Sequence, residues 1–335
     1  MKKMTAYVTR SYGPDAHFEA TDVPIPKLAP EQVLIEVKAT SLNPIDHKLL
    51  RHDIGLNPEL PAVLHGDVAG IVSEVGSDVS NFRVGDEVYA CAGGFIGNAG
   101  ALADYMPADS RLVAHKPKTL SFAEAAALPL VVITAWEAMI DSARVKTNDH
   151  VLVHAGVGGV GHVAVQIAKS RGARVATTVS TEQAAQTAKK LGADEIINYR
   201  QESVEDYVQR LNDGKGFDMV YDTVGGPNFE KSLQALRNYG HVVTVFTGTT
   251  ATKLELMTSF LKSASIHTQN MSIPLVSGQG RDHHGQILRD AAKLVDSGKL
   301  KPLIHEQQFK FQNVNEAHAL FESGKYVGKI VLTSN

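Results

Sequence analysis

His154-Ala155-Gly156-Val157-Gly158-Gly159-Val160-Gly161 is the stretch whose reading decides the fold. It follows the apolar run Val151-Leu152-Val153 and precedes the helical pattern Val163-Ala164-Val165-Gln166-Ile167-Ala168. Glycines at 156, 158, 159 and 161 permit backbone angles and close approaches that a Cβ would forbid. The helix that follows turns free N–H groups and a partial positive charge toward its own N-terminus, where a pyrophosphate is stabilised. Strand, glycine turn and helix in that order predict a dinucleotide site formed by Gly156, Val157, Gly158, Gly159 and Val160. A tight turn that serves packing alone is the other reading of the same glycines.

The segments on either side agree with the first reading. Arg174 to Thr178, Glu195 to Asn198, Phe217 to Tyr221 and His241 to Val245 are short apolar strands with helical stretches between most of them. That alternation predicts parallel βαβ units with buried strands, a doubly wound sheet that opens its ligand crevice at the strand C-termini. Thr223, after the fourth strand, and Phe246 and Thr247, after the fifth, are therefore candidate cofactor contacts. The second strand ends about twenty residues beyond the turn, where NAD-specific sites place an acidic residue on the ribose. Thr178, Ser180 and Thr181 stand there, and hydroxyls without a carboxylate favour NADPH. Ser and Thr also cap helices well, so both roles are open to them. Near Ser265 the alternation stops, and Gly278-Gln279-Gly280-Arg281-Asp282 reads as a flexible connection before a helix from about Gln286 to Val295.

From Met4 to about Leu120 the texture is different: short β-rich runs such as Val33 to Val37 and Val68 to Val75, broken by Gly, Pro, Asn and Asp. This predicts a largely antiparallel β region, which Gly328-Lys329-Ile330-Val331-Leu332 rejoins as a final strand. The resulting domains are 1–123 and 271–335 for the β-rich part, with 124–270 for the nucleotide part. The 335 residues, 43% apolar and with a formal net charge of -3, suit two globular cores and give no electrostatic reason to expect nucleic acid. The lone Cys91 rules out an intrachain disulfide and fits the reducing cytoplasm, and no eighteen-residue apolar run predicts a membrane span.

Further motifs join the glycine turn: Ser41-Leu42-Asn43-Pro44-Ile45-Asp46-His47-Lys48, Gly66-Asp67-Val68-Ala69-Gly70, Phe82-Arg83-Val84-Gly85-Asp86-Glu87-Val88, Thr134-Ala135-Trp136, Leu191-Gly192-Ala193-Asp194 and Gly328-Lys329. With them the chain resembles, over nearly its whole length, the medium-chain dehydrogenase/reductase superfamily in its zinc-free quinone oxidoreductase and enone reductase branch. The resemblance implies an α/β protein, with a GroES-like catalytic domain, a Rossmann cofactor domain, an active-site cleft between them and a homodimer. It also implies hydride transfer from NADPH to a quinone or an α,β-unsaturated carbonyl. Asn43 would stand close to the nicotinamide and the substrate, Thr134 beside the nicotinamide, Tyr199 at the adenosine phosphate and Lys329 near the cofactor.

Related alcohol dehydrogenases hold a catalytic zinc with Cys and His, where this chain has Asn43 and Gly66; one cysteine cannot build a four-thiolate site either, so no metal is expected. Without a Lewis acid to stabilise an alkoxide, reduction of an already conjugated acceptor is the easier chemistry. Pro44 is suited to starting a helical turn that brings Asp46 and Lys48 around one face. Asp46 would orient Lys48 or cap the turn. Lys48 would donate to the developing enolate, the ribose or a phosphate, or else be a surface ammonium. One departure concerns the cofactor: many relatives carry a lysine for the 2′-phosphate where this chain has Ala184. The rival functions are a zinc alcohol dehydrogenase and a non-enzymatic NADPH-binding protein of the same fold.

Overall fold

The protein is described by a computed structural model covering residues 2–95, 97–245 and 256–334; Phe246 and Thr247 lie outside these residues. Two compact units are present: Met1–Ile133 with Ser272–Ser297 and Pro302–Asn335, and Thr134–Met271 with Gly298–Lys301. Residues 124–133 fall with the first unit, and 298–301 with the second.

In chain order the first unit contains strands β1 (Lys3–Thr9), β2 (Phe18–Pro24) and β3 (Gln32–Ser41), helix α1 (Pro44–Arg51), then β4 (Ala62–Val63), β5 (Asp67–Val75), β6 (Glu87–Cys91), β7 (Tyr105–Asp109) and β8 (Val113–His115). The second unit alternates β9 (His150–Val153), α2 (Gly161–Ser170), β10 (Arg174–Val179), α3 (Glu182–Lys190), β11 (Glu195–Asn198), α4 (Val204–Asn212), β12 (Phe217–Asp222), α5 (Asn228–Ala235), β13 (Leu236–Val245) and β14 (Ser265–Gln269). The chain then returns to the first unit with α6 (Arg281–Asp296), β15 (Phe309–Lys310), α7 (Val314–Ser323) and β16 (Val331–Thr333).

The first unit is built on a sheet of order β15-β16-β3-β5-β6-β8, with β7 also paired to β3, and a smaller sheet β2-β1-β4. Every pairing in them is antiparallel except β15 with β16. The expected return strand is β16, whose Val331 and Leu332 lie opposite Ser41 and Thr40 of β3. Gly70 sits opposite Val37, where an ideal Cβ would be 2.1 Å from the Glu36 carbonyl oxygen, so only glycine lets β5 come that close to β3.

The six strands of the second unit are all parallel, in the order β11-β10-β9-β12-β13-β14. The chain moves outward from β9 in one direction, then crosses back to β12, which places the switch point between β9 and β12 and the ligand crevice beyond their C-terminal ends. Leu152, Ala176, Ile197, Phe217, Leu233 and Val242 form part of its buried core. β14 corrects the expectation that alternation ends near Ser265. As an edge strand it is only partly buried, so Ser265, His267, Thr268 and Gln269 carry no apolar signal. Helix α6 also begins earlier than expected, at Arg281, behind left-handed Gly278 and Gly280.

Three imidazoles from separate segments of the first unit pack in a row. His65 Nε2 lies 3.0 Å from His318 Nε2, and His318 Nδ1 is 3.4 Å from His47 Nδ1. Burial pushes His65 down to about 3 and His318 well below its ordinary range, with Lys329 acting in the same direction on His65, and His65, His47 and Arg51 on His318. His47, which also faces Arg51, His52 and the opposing Glu322, is lowered as well. Folded His65 and His318 therefore refuse a proton that the unfolded chain accepts below about pH 6.5, His47 binds one less readily, and stability is lost as pH falls through that value. For a group that stays neutral the loss is about 2 kcal/mol at pH 5. His318→Gln should remove one such loss, so the stability advantage of the wild type over this variant should narrow from pH 7 to pH 4.5 in denaturant unfolding. An advantage independent of pH would show that folded His318 titrates normally.

Candidate functional site

The glycine turn opens onto a cavity of about 820 Å³ within the second unit, lined among others by His154, Ala155, Thr178, Tyr199, Asn228 and Lys231. None of Gly156, Gly158, Gly159 and Gly161 is in the left-handed region; Ala155 is, at φ 53°. The glycines are required by proximity. A Cβ on Gly156 would stand 2.0 Å from Thr177 Oγ1, and one on Gly161 would stand 2.1 Å from the Ala155 carbonyl oxygen. The backbone thus comes down onto β10 and leaves a cradle at the N-terminus of α2 that side chains would fill. Val157, Gly158, Gly159 and Val160 remain partly open, while Gly156 is buried. This is the geometry a pyrophosphate requires.

The hydroxyls after β10 divide their work. Thr178 Oγ1 accepts from the Ala155 N–H at 3.0 Å and stands 3.4 Å from His154 Nδ1, so it braces the turn. Thr181 caps α3, accepting from the Ala184 N–H at 3.2 Å. Ser180 is partly exposed and makes no side-chain hydrogen bond among the described residues. Thr223 donates to the His154 carbonyl at 2.7 Å and ties β12 to the start of the turn. Tyr199 is 53% exposed on the cavity wall. Thr134 is nearly buried, its carbonyl taken by the Tyr221 hydroxyl at 3.2 Å and by Gln269 Nε2 at 2.8 Å.

His154, Asn228 and Lys231 belong to the cavity although the sequence reading did not select them. Burial pushes His154 down to about 4 against the opposing pull of Asp222, which leaves a neutral imidazole. Asn228 donates to Asp222 Oδ1 at 2.9 Å. His154 opens the glycine turn itself, but no motif marks Asn228 and Lys231; only the position of α5 after the switch-point strand β12 hints at them.

In the first unit, α1 starts at a buried polar cluster. Pro44 occupies its first turn, and Asp46 accepts from the Asn43 N–H at 2.8 Å, so Asp46 does cap the helix. Asn43 Nδ2 donates to Asp67 Oδ2 at 2.7 Å, and Ser41 Oγ donates to the same oxygen at 2.8 Å. Asp67 Oδ1 accepts from the Leu130 N–H at 2.8 Å. Lys329, expected near the cofactor, is placed in this cluster: its ammonium donates to Asn43 Oδ1 and, at 2.9 Å, to the Leu42 carbonyl, and lies 3.8 Å from Asp67 Oδ2. Asn43, Asp46, Asp67 and Lys329 are all buried. Burial and then Asp67 push Asp46 up to about 7; burial also raises Asp67 and lowers Lys329, each opposed by the other's charge. Lys48, one turn further along α1, is half-buried, and burial lowers its pKa.

A lysine only donates and an ionised aspartate only accepts, so the Asn43 carboxamide is held in one orientation. One Nδ2–H remains uncommitted among the described residues.

Residues 29–118 match the family described as alcohol dehydrogenase GroES-like domain, and residues 191–332 that described as zinc-binding dehydrogenase. Over 98% of its length the chain is 35% identical to the 2-methylene-furan-3-one reductase of Solanum lycopersicum, of which it covers 79%. The chain belongs to the medium-chain dehydrogenase/reductase superfamily. It is 31% identical to a chloroplastic NADPH-dependent alkenal/one oxidoreductase of Arabidopsis thaliana, covering 99% of this chain and 80% of that one. The structure of the quinone oxidoreductase from Coxiella burnetii superposes on all of both chains with a TM-score of 0.82 at 33% identity.

The superfamily's alcohol dehydrogenases bind zinc at the places of Asn43 and Gly66, and those places do not fit a zinc ion here. Both polar atoms of the Asn43 amide are bonded, to a lysine and a carboxylate, and a Cβ on Gly66 would stand 2.8 Å from the Gly93 carbonyl oxygen. Among the described residues no cluster of three or more His, Cys, Asp or Glu is placed to hold a metal. The glycine cradle and the cavity beside it do fit a dinucleotide.

Contact distances at the turn give a prediction. Gly156→Ala should cost about 1–3 kcal/mol by overpacking against Thr177 and should weaken cofactor binding with it. Gly158→Ala, where the added Cβ would come within 3.1 Å of the Ala155 carbonyl oxygen, should be much milder. Thermal unfolding and fluorescence titration with reduced cofactor measure both variants, and equal behaviour of the two would contradict the cradle described above.

Proposed function

We propose that the protein reduces the conjugated double bond of an α,β-unsaturated carbonyl, or a quinone, with NADPH and without zinc. The observation that carries this reading is the Lys329–Asn43–Asp67 lock, which occupies a metal-ligand position with a fixed amide. The names of the tomato, Arabidopsis and Coxiella proteins support the same acceptors and cofactor. When bound, NADPH supplies the hydride.

The chain's own contribution is to hold cofactor and acceptor and to stabilise the charge that hydride addition places on the acceptor oxygen. Gly156 to Val160 receive the pyrophosphate, with Thr178 and Thr223 bracing that turn, and Tyr199 and Ser180 reach the adenosine end. Asn43 and Asp46 act mainly from below, fixing the start of α1. Lys48 rides on that helix as a partly exposed donor, and a donor aimed at the developing oxyanion lowers the barrier more than it tightens substrate binding. The buried Cys91 is consistent with a reducing compartment such as the cytoplasm, and the family resemblance favours a homodimer. Among the described residues no helix is long and apolar enough to cross a membrane.

Lys48→Ala should lower enone turnover by roughly a hundredfold and quinone turnover less, because a quinone already spreads the incoming charge. Chelation should leave wild-type turnover unchanged. The check is kcat and KM with one enone and one quinone. Wild-type rates in Lys48→Ala on both acceptors would remove Lys48 from the site, and activity lost with stoichiometric zinc would remove the metal-free reading.

A further inference from the structure

The 2′-phosphate that distinguishes NADPH from NADH carries nearly two negative charges at neutral pH, and a site that selects it supplies a cation. The residues after β10 do not: Ser180, Thr181, Gln183 and Ala184 are uncharged, Glu182 is acidic, Thr178 braces the turn, and Thr181 caps α3. The opposite wall of the cavity holds one. Lys231, on α5, is exposed, lines the same cavity as Thr178 and Tyr199, and makes no hydrogen bond or ion pair with any described residue. Among the described residues lining that cavity it is the only lysine or arginine.

The other charges there do not compete strongly for it. Glu202 is held by Arg210 through bonds of 2.8 and 2.6 Å. Glu205 lies in the first turn of α4, where the helix dipole already favours a carboxylate. His154 is neutral. The cavity therefore keeps one exposed cation on a long side chain, lining the same space as Thr178 and Tyr199.

We propose that Lys231 selects NADPH over NADH by pairing its ammonium with the phosphate on the adenosine ribose. This rests on the NADPH reading above and deepens it. A lysine on α5 supplies the cation that residues 180–184 lack, approaching the phosphate from the other side of the cavity. A single charge-assisted contact of this kind corresponds to roughly ten- to a hundredfold in affinity, and it weakens as salt rises.

The test is calorimetric titration of the full chain with NADPH and with NADH, for the wild type, Lys231→Gln, Lys231→Arg, and Lys231→Gln combined with Ala184→Lys. Lys231→Gln should weaken NADPH binding roughly ten- to a hundredfold while leaving NADH binding unchanged. Lys231→Arg should keep the preference, and Ala184→Lys should restore it in the Lys231→Gln background. A Lys231→Gln protein that keeps the wild-type ratio of the two affinities overturns the assignment of Lys231 and leaves the hydride-transfer reading intact. Equal loss of both cofactors also overturns it, since the residue would then serve the cavity as a whole. A wild type that binds neither reduced cofactor overturns the functional reading itself.

Discussion

The buried ammonium of Lys329 is the constraint on which the first unit's chemistry depends. It joins the end of the chain to Leu42 and Asn43, just before α1, and lies beside Asp67 at the start of β5. A lone charge in such surroundings would be very costly, and removing one member of a buried pair commonly costs about 3–5 kcal/mol because its partner is left uncompensated. The cluster has two carboxylates and one ammonium, and burial and then the Asp67 charge push Asp46 up to about 7. What the arrangement secures is orientation. The Asn43 amide cannot flip, α1 cannot rotate about its first turn, and Lys48 is carried on a fixed helix.

The second unit follows a different principle. Its site is built from backbone proximity, with a turn pressed onto β10 so closely that glycine is required at 156, and folded onto its own Ala155 so closely that glycine is required at 161. Side-chain hydroxyls from β10 and from the residue after β12 then brace that turn through Ala155 and His154. The strain of a left-handed Ala155 is borne at the point where the chain leaves β9, which is consistent with strained backbone gathering at ligand sites. Cavity polarity is set separately, by Tyr199, Lys231 and the neutral His154.

Much of this was legible in the sequence, and the pattern of what was not has physical causes. The glycine turn, the parallel order of strands and the return of β16 to β3 all leave local signals, because they depend on residue size and on a buried strand's apolar run. The edge strand β14 left none, since a half-exposed strand tolerates Ser, His, Thr and Gln. Asp46 as a cap was one of the two readings that Pro44 and the motif around it offered, whereas the burial of Asn43 against Asp67 leaves no local signal, because its partner is 24 positions away. Nor does the partnership of Lys329 with Asn43, because it joins residues 286 positions apart. Lys231 was equally invisible: a lysine in an ordinary amphipathic helix acquires meaning only when a cavity is seen beside it.

In the proposed reaction hydride goes to a carbon of a conjugated system and not to a carbonyl carbon. Turnover of an enone with NADPH deuterated at the transferring position of the nicotinamide tests this most directly, with the product read by mass spectrometry and NMR. Hydride addition to the conjugated carbon gives a saturated ketone with one deuterium on the β-carbon. An allylic alcohol with deuterium on the carbinol carbon would contradict it and return the protein to the alcohol dehydrogenases.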